Sequence, residues 1–158
     1  MAAQVNKAKV VLFPTDFSAT SDAALPEACA LASDRGAALL ILHVVAPMLG
    51  YGGGEIYGVS EATNEAFAKM LHQIVPPDKR VPYEHRMVTG DPVAEIVRAA
   101  AEANAELIVM GTHGRTGIGR LIMGSVAEGV VRRAPCPVLT YRGLSPMPPL
   151  GQPLVAAG

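Results

Sequence analysis

The chain has 158 residues, of which 50% are hydrophobic and 17% charged, so it can bury a core and is not disordered over its whole length. Thirteen Lys and Arg residues against 14 Asp and Glu residues give a formal charge of −1, which argues against a nucleic-acid or membrane partner. The 2 cysteines are too few for a disulfide framework or a metal-ligand set.

The first third of the chain predicts two strands separated by a helix. Residues 9–14 are apolar and β-branched and predict a buried strand, and the almost wholly apolar Ala38–Val45 predicts a strand covered on both faces. Between them, residues 19–34 have helical spacing, with Gly36 at the C-terminal cap position. Pro26 lies inside this run and predicts a late start or a bend.

The middle of the chain predicts a connection, a helix and a third strand. Residues 48–59 contain five glycines without periodicity and predict a flexible connection, with a lid over a ligand as the alternative. Residues 60–75 predict a helix, and residues 81–88 predict a shorter, more exposed strand. The apolar face expected for this helix consists of Phe67, Met70, Leu71 and Ile74.

The last third predicts two more strands and two helices. Asp91 and Pro92 predict the start of a helix, because Asp caps helices and Pro favours their first position. Residues 106–110 predict a fourth strand, residues 111–124 a glycine-rich loop, Ser125–Arg133 a short helix and residues 137–141 the last strand. This alternation predicts a three-layer α/β/α fold around an open, parallel, five-stranded sheet. Residues 1–142 would form one domain and the uncharged, proline-rich residues 143–158 a tail.

The loop after the fourth strand is predicted to hold phosphate. In open α/β sheets, ligands bind beyond the carboxyl ends of the strands, where residues 14–16 and 110–115 follow the first and fourth strands. Glycines, the helix N-terminus at Ser125 and the cations Arg115 and Arg120 supply N–H donors and positive charge. Asp16 is placed to accept hydrogen bonds from ribose hydroxyls.

Two well-known phosphate signatures do not fit this loop. Gly114 and Gly119 have the spacing of a P-loop, but Arg120 and Leu121 replace its lysine and hydroxyl residue. The dinucleotide signature also fails, because Gly117 and Gly119 are not followed by a third glycine and the loop does not follow the first strand.

A different signature matches. Gly111, two residues, Gly114, nine residues and Gly124 followed by Ser125 resemble the nucleotide-binding signature of the universal stress protein family. Residues 11–18 (Val-Leu-Phe-Pro-Thr-Asp-Phe-Ser) are similar to that family's opening strand and loop, and the resemblance extends over residues 9–142. It implies an adenine nucleotide alpha hydrolase-like sheet in the order 3-2-1-4-5, and a stress-response protein that binds ATP or AMP.

The resemblance also implies site residues. Asp16 would meet the ribose, and Val44 would contact adenine through its backbone. Pro14 and Thr15 would lie beside the nucleoside, Met110 and Gly111 would line the ribose side, and Gly114, Arg115, Gly124, Ser125 and Val126 would hold the phosphates. No catalytic or metal-ligating residue is assigned, and Mg²⁺ is expected only as a companion of ATP.

Simpler explanations compete with these roles. The glycines could merely join strand to helix, and Asp16 and Ser125 could merely cap their helices. His43 fits a core histidine better than a catalytic base, His113 could neighbour a phosphate, and both Cys29 and Cys136 fit buried apolar positions. At the level of function, a slow ATP hydrolase or phosphotransferase and a nucleotide-free interaction module are the alternatives.

The last strand would leave an apolar sheet edge, an aggregation hazard that proteins usually cover. Antiparallel pairing of the strand from Pro137 to Tyr141 with its copy would remove that edge, and the resemblance implies the same homodimer. The first apolar run, residues 10–13, is too short for a secretory signal, and no stretch is long enough for a membrane span, so a cytoplasmic protein is expected.

Overall fold

A five-stranded parallel sheet organises the part of the chain that the computed structural model describes, residues 8–49, 56–57, 59–112 and 123–142. The elements in chain order are β1 (Val10–Pro14), α1 (Ala19–Arg35), β2 (Ala38–Val45), β3 (Met48–Leu49), β4 (Ile56–Tyr57), α2 (Glu61–Gln73), β5 (Tyr83–Thr89), α3 (Pro92–Ala103), β6 (Leu107–Gly111), α4 (Ser125–Arg133) and β7 (Val138–Tyr141). The sheet order is β5-β2-β1-β6-β7, which is 3-2-1-4-5 when only its own strands are counted. The predicted fold class and strand order are confirmed.

Helices cover both faces of the sheet, as the apolar character of β1 and β2 requires. On one face, Val11, Phe13 and Leu39 pack with the buried side of α1 and with Leu71 of α2. On the other face, Leu12 and Ile108 pack with residues of α3 and α4. The core therefore consists of two layers separated by the sheet.

Helix α1 begins at Ala19, the first residue of the run with helical spacing. Ser18 caps it by accepting a hydrogen bond from the Ser21 N–H at 3.2 Å, and Gly36 ends it in the left-handed conformation with φ 60°. The helix runs through Pro26 from Ala19, so the expected late start is wrong. Pro26 is exposed.

Three other expectations need correction. Part of the predicted flexible connection forms a short antiparallel hairpin, in which Met48 pairs with Tyr57 and Leu49 with Ile56. Met70 is 39% exposed rather than part of the buried face of α2. Cys29 is buried as expected, but Cys136 is only partly buried. The partial burial of Cys136 still raises the pKa of its thiol, because it disfavours the charged thiolate.

The topology leaves an opening beyond the carboxyl ends of β1 and β6. These neighbouring strands run parallel, but the chain leaves β1 for α1 on one face and leaves β6 for α4 on the other. Ligands bind to open α/β sheets at such a switch point, beyond the carboxyl ends of the strands. Within the described ranges, no helix is long and apolar enough to cross a bilayer.

Candidate functional site

A cleft of about 200 Å³ lies at the carboxyl ends of β1 and β6. Nine of the residues predicted for the site line it, namely Pro14, Thr15, Asp16, Val44, Met110, Gly111, Gly124, Ser125 and Val126. The remaining two, Gly114 and Arg115, lie outside the described residues, as do His113 and Arg120. The structure therefore brings together every predicted site residue that it describes.

Seven further residues line the cleft and were not predicted from the sequence. They are Ser18, Ser21, Leu42, Pro92, Ile96, Thr112 and Ala127. Two of them had a usable signal: Leu42 precedes Val44 by two residues on the same side of a strand, and Ala127 belongs to the same helical turn as Ser125. Pro92 and Ile96 enter the cleft from the start of α3, which the one-dimensional pattern does not place.

Thr15 is fixed by hydrogen bonds from three sides. Its N–H donates to the Leu42 carbonyl at 2.8 Å, and its carbonyl accepts from His43 Nδ1, also at 2.8 Å. Its hydroxyl oxygen accepts from Ser21 Oγ at 2.7 Å and from the Phe17 N–H at 3.1 Å. This side chain is internally engaged, so its part in the site is to hold the turn that follows β1.

Asp16 stands in that turn with one carboxylate oxygen engaged. Oδ1 accepts from the Ser18 N–H at 3.0 Å, and no described residue donates to Oδ2. The cap of α1 is Ser18 and not Asp16, so the simpler explanation of Asp16 as a helix cap is wrong. A half-buried carboxylate in the cleft with an available oxygen can accept hydrogen bonds from hydroxyl groups of a ligand.

The backbone of Val44 faces the cleft because β1 ends early. Pairing of β1 with β2 stops at Pro14 and Leu42. In a parallel strand the N–H and C=O of one residue point to the same side, and alternate residues point to opposite sides. Leu42 bonds toward the β1 side and Val45 toward the β5 side, so the N–H and C=O of Val44 point into the space that β1 has left.

Gly111 and Thr112 connect the cleft to the loop after β6. A Cβ atom at Gly111 would lie 3.2 Å from the Ser21 backbone nitrogen and 3.1 Å from Thr20 Cγ2, so glycine lets β6 approach the start of α1. The Gly124 N–H donates to the Thr112 carbonyl at 2.7 Å. The two ends of the loop therefore meet at the cleft.

The first turn of α4 presents backbone donors to the cleft. Gly124 is the N-cap residue, and it has no side-chain cap bond. Ser125 is the first helical residue, so the simpler explanation of Ser125 as the helix cap is wrong. The first helical bond from a described donor runs from the Glu128 N–H to the Gly124 carbonyl. No described residue accepts from the N–H groups of residues 125–127, and a helix N-terminus with free N–H groups attracts anions.

The described part of the site contains no catalytic pair of the usual kinds. His43 is buried and donates from Nδ1 to a backbone carbonyl, as expected of a core histidine. Asp16 is the single charged side chain among the described residues that line the cleft. In the described ranges no three His, Cys, Asp or Glu side chains are grouped to hold a metal ion.

Comparisons of the sequence and of the fold with known proteins point to the same family. The sequence model of the family described as "Universal stress protein family" matches residues 7–142 of this chain. The universal stress protein MJ0531 of Methanocaldococcus jannaschii is 35% identical over 144 residues, covering 87% of this chain and 84% of that protein. The solved structure of the hypothetical protein MJ0577 from the same organism has a TM-score of 0.66 at 26% identity, covering 88% and 99% of the two chains.

A second related structure contains a ligand. It is a universal stress protein described as a complex with cAMP, with a TM-score of 0.63 and 26% identity, and the match covers 86% of this chain and 98% of that one.

Proposed function

The chain belongs to the universal stress protein family, and on that premise we propose that it is a cytoplasmic stress-response protein that binds ATP or AMP as a regulatory ligand. The proposed site is the cleft at the carboxyl ends of β1 and β6. The related complex with cAMP supports an adenine nucleotide as the ligand.

The observation that carries this proposal is the N-terminus of α4, which lies in the cleft and is not capped by any side chain of the described residues. Phosphate binds readily where unpaired N–H groups and the positive end of a helix dipole coincide. We place the phosphates at Gly124, Ser125 and Val126. Gly114 and Arg115, which lie outside the described residues, are proposed to complete this phosphate site.

We place the nucleoside against the rest of the cleft lining. Ribose hydroxyls would donate to Oδ2 of Asp16, because Oδ1 is already engaged by Ser18. Adenine would lie against apolar side chains of the cleft such as Ile96, and Met110 would line the ribose side. The N–H and C=O of Val44 offer it one donor and one acceptor at the vacated side of β2. Pro14 and Gly111 would flank the nucleoside.

A regulatory ligand fits the described site better than a substrate. Enzymatic phosphoryl transfer needs a residue that orients the nucleophile, together with charges that stabilise the transferred group. The described lining offers one carboxylate, Asp16, which is already assigned to the ribose. Mg²⁺ is therefore proposed only as a companion of ATP.

Two measurements test the proposal. Mass spectrometry of small molecules released from freshly isolated protein should detect AMP or ATP in a ratio near one per chain. Titration calorimetry of nucleotide-free protein should show that AMP and ATP bind more tightly than adenosine, because adenosine lacks phosphates for α4. Equal affinity for adenosine would contradict the phosphate site. Release of phosphate over multiple turnovers would show that the protein is an ATP hydrolase and that ATP is its substrate, not a regulatory ligand.

We also propose that the protein is a homodimer through β7. This strand is the last in the sheet, and Leu139 at its centre is 38% exposed. An unpaired edge with apolar side chains is prone to association, and twofold antiparallel pairing of the strand from Pro137 to Tyr141 would close it.

Replacing Leu139 with glutamate should produce a monomer. The twofold axis would bring two like charges together at an interface, which costs several kcal/mol. Light scattering of the variant should therefore give the 16.4 kDa mass of one chain, whereas the wild type should give twice that mass. Val75→Glu is the matched control, because Val75 is 52% exposed and lies outside β7. A Leu139→Glu variant that stays dimeric would contradict the pairing.

A further inference from the structure

Phe17, the residue after Asp16, has a backbone conformation that a bulky side chain rarely adopts. Its φ angle is +62°, in the left-handed region that glycine prefers. A non-glycine residue stays in this region only when its surroundings hold it there, and such residues cluster at ligand sites. The contacts of Phe17 therefore show what holds the turn in place.

Two aromatic rings hold Phe17. Its ring centroid lies 4.3 Å from that of His43 and 6.0 Å from that of Phe67 on α2. His43 is itself fixed, because its Nδ1 donates to the Thr15 carbonyl at 2.8 Å. The backbone of Phe17 has an anchor of its own, since its N–H donates to Thr15 Oγ1 at 3.1 Å.

The left-handed conformation sets the direction of the chain between Asp16 and Ser18. With Phe17 in this conformation, the Ser18 N–H reaches Oδ1 of Asp16 at 3.0 Å, while Oδ2 has no described donor. If Phe17 relaxed to the right-handed or extended region, the Ser18 N–H would turn away and the carboxylate would lose its hydrogen bond from Ser18.

We infer that Phe17, locked by the rings of His43 and Phe67, is a positioning residue that presents the Asp16 carboxylate to the ribose. This inference rests on the proposed adenine nucleotide site and adds the residue that organises its ribose contact. Phe17 does not line the cleft, so it acts through Asp16 and not by touching the ligand.

The first test needs no nucleotide. Amide hydrogen exchange of Ser18 reports the contact to Asp16 directly. Phe17→Ala should speed this exchange, because alanine makes no ring contacts that would hold it in the left-handed conformation. Without such contacts, the equilibrium disfavours that conformation by a factor of roughly 5 to 30. Unchanged exchange at Ser18 in a folded Phe17→Ala protein would overturn the inference, whatever the ligand is.

The second test measures AMP affinity by calorimetry in the full chain. Phe17→Ala should bind AMP roughly 5- to 30-fold more weakly than the wild type. Phe17→Gly should lose less, because glycine adopts the left-handed conformation without strain. A purely packing role for the ring predicts the opposite order, since glycine removes more side chain and loosens the backbone further.

A double-mutant cycle separates action through Asp16 from general damage. In the Asp16→Ala background, Phe17→Ala should cause little additional loss of AMP affinity, because the carboxylate it positions is absent. Additive losses would overturn the inference while leaving the proposed function intact. A wild-type protein that binds neither AMP nor ATP would overturn the proposed function, and the ribose role of Phe17 with it.

If Phe17→Ala fails to fold, Phe67→Leu provides the same test through a residue of α2 that contacts the ring of Phe17. It removes the ring next to Phe17 without changing the sequence of the turn. We expect faster exchange at Ser18 and weaker AMP binding. Met70→Leu, an exposed substitution on the same helix, should leave both quantities unchanged. Identical behaviour of the two variants would overturn the inference.

Discussion

Replacing Ser125 with aspartate is expected to reduce ATP affinity about 1,000-fold while leaving the fold intact. Ser125 is the exposed first residue of α4 and lines the cleft where we place the phosphates. A carboxylate within about 4 Å of a phosphate charge is repelled by about 4 kcal/mol at the effective dielectric constant of a protein surface, which corresponds to that loss.

The fold should survive because a helix N-terminus favours negative charge. An acidic side chain in the first turn stabilises a helix by about 0.3–1 kcal/mol, so the melting temperature should stay constant or rise. Calorimetry with ATP and thermal unfolding followed by circular dichroism measure the two effects. Ser125→Asn is the matched control, since asparagine has the shape of aspartate without its charge. Equal ATP affinity in the two variants would contradict a phosphate site at α4.

Asp16→Ala is expected to weaken AMP and ATP binding by roughly 10- to 150-fold. This factor corresponds to the loss of a hydrogen bond to a charged group, which contributes about 1.5–3 kcal/mol. The available Oδ2 would lose its bonds to the ribose. Stability should change less, because the substitution removes one bond of Asp16 to the half-buried Ser18 N–H and leaves the Ser18 cap of α1 in place.

Comparison of ribose and deoxyribose ligands tests the role assigned to Asp16. In the wild type, AMP should bind more tightly than its analogue without ribose hydroxyls. In Asp16→Ala this preference should shrink, and Asp16→Asn, which keeps one acceptor oxygen, should fall between them. An undiminished preference in Asp16→Ala would show that another group reads the ribose.

Much of the site was predictable because topology places the ends of strands. The alternation of strands and helices fixes a parallel sheet, and a parallel sheet brings the carboxyl ends of its strands to one edge. Thus Asp16 and Gly111, 95 positions apart in the printed sequence, meet in one cleft. The start of α4 at Ser125 followed from the glycine-rich loop before it.

Other features depend on contacts that local sequence does not encode. The rings that contact Phe17 come from His43 of β2 and Phe67 of α2, which reach it only after β2 has paired with β1 and α2 has packed on the sheet. Met70 is 39% exposed although Leu71 beside it is 2% exposed, because helical spacing alone does not show where the buried face of α2 ends. The hairpin of β3 and β4 has two residues in each strand, too few for any periodic signal.

The central claim is that nucleotide phosphates bind the backbone of the first turn of α4. Titration of the ¹⁵N-labelled protein with ATP, followed by nuclear magnetic resonance, observes those amides directly. We expect large, saturable shifts at the N–H groups of Ser125, Val126 and Ala127, and much smaller shifts at the same groups with adenosine. Saturation by ATP that leaves these three amides where they were, or an equal response to adenosine, would contradict the claim.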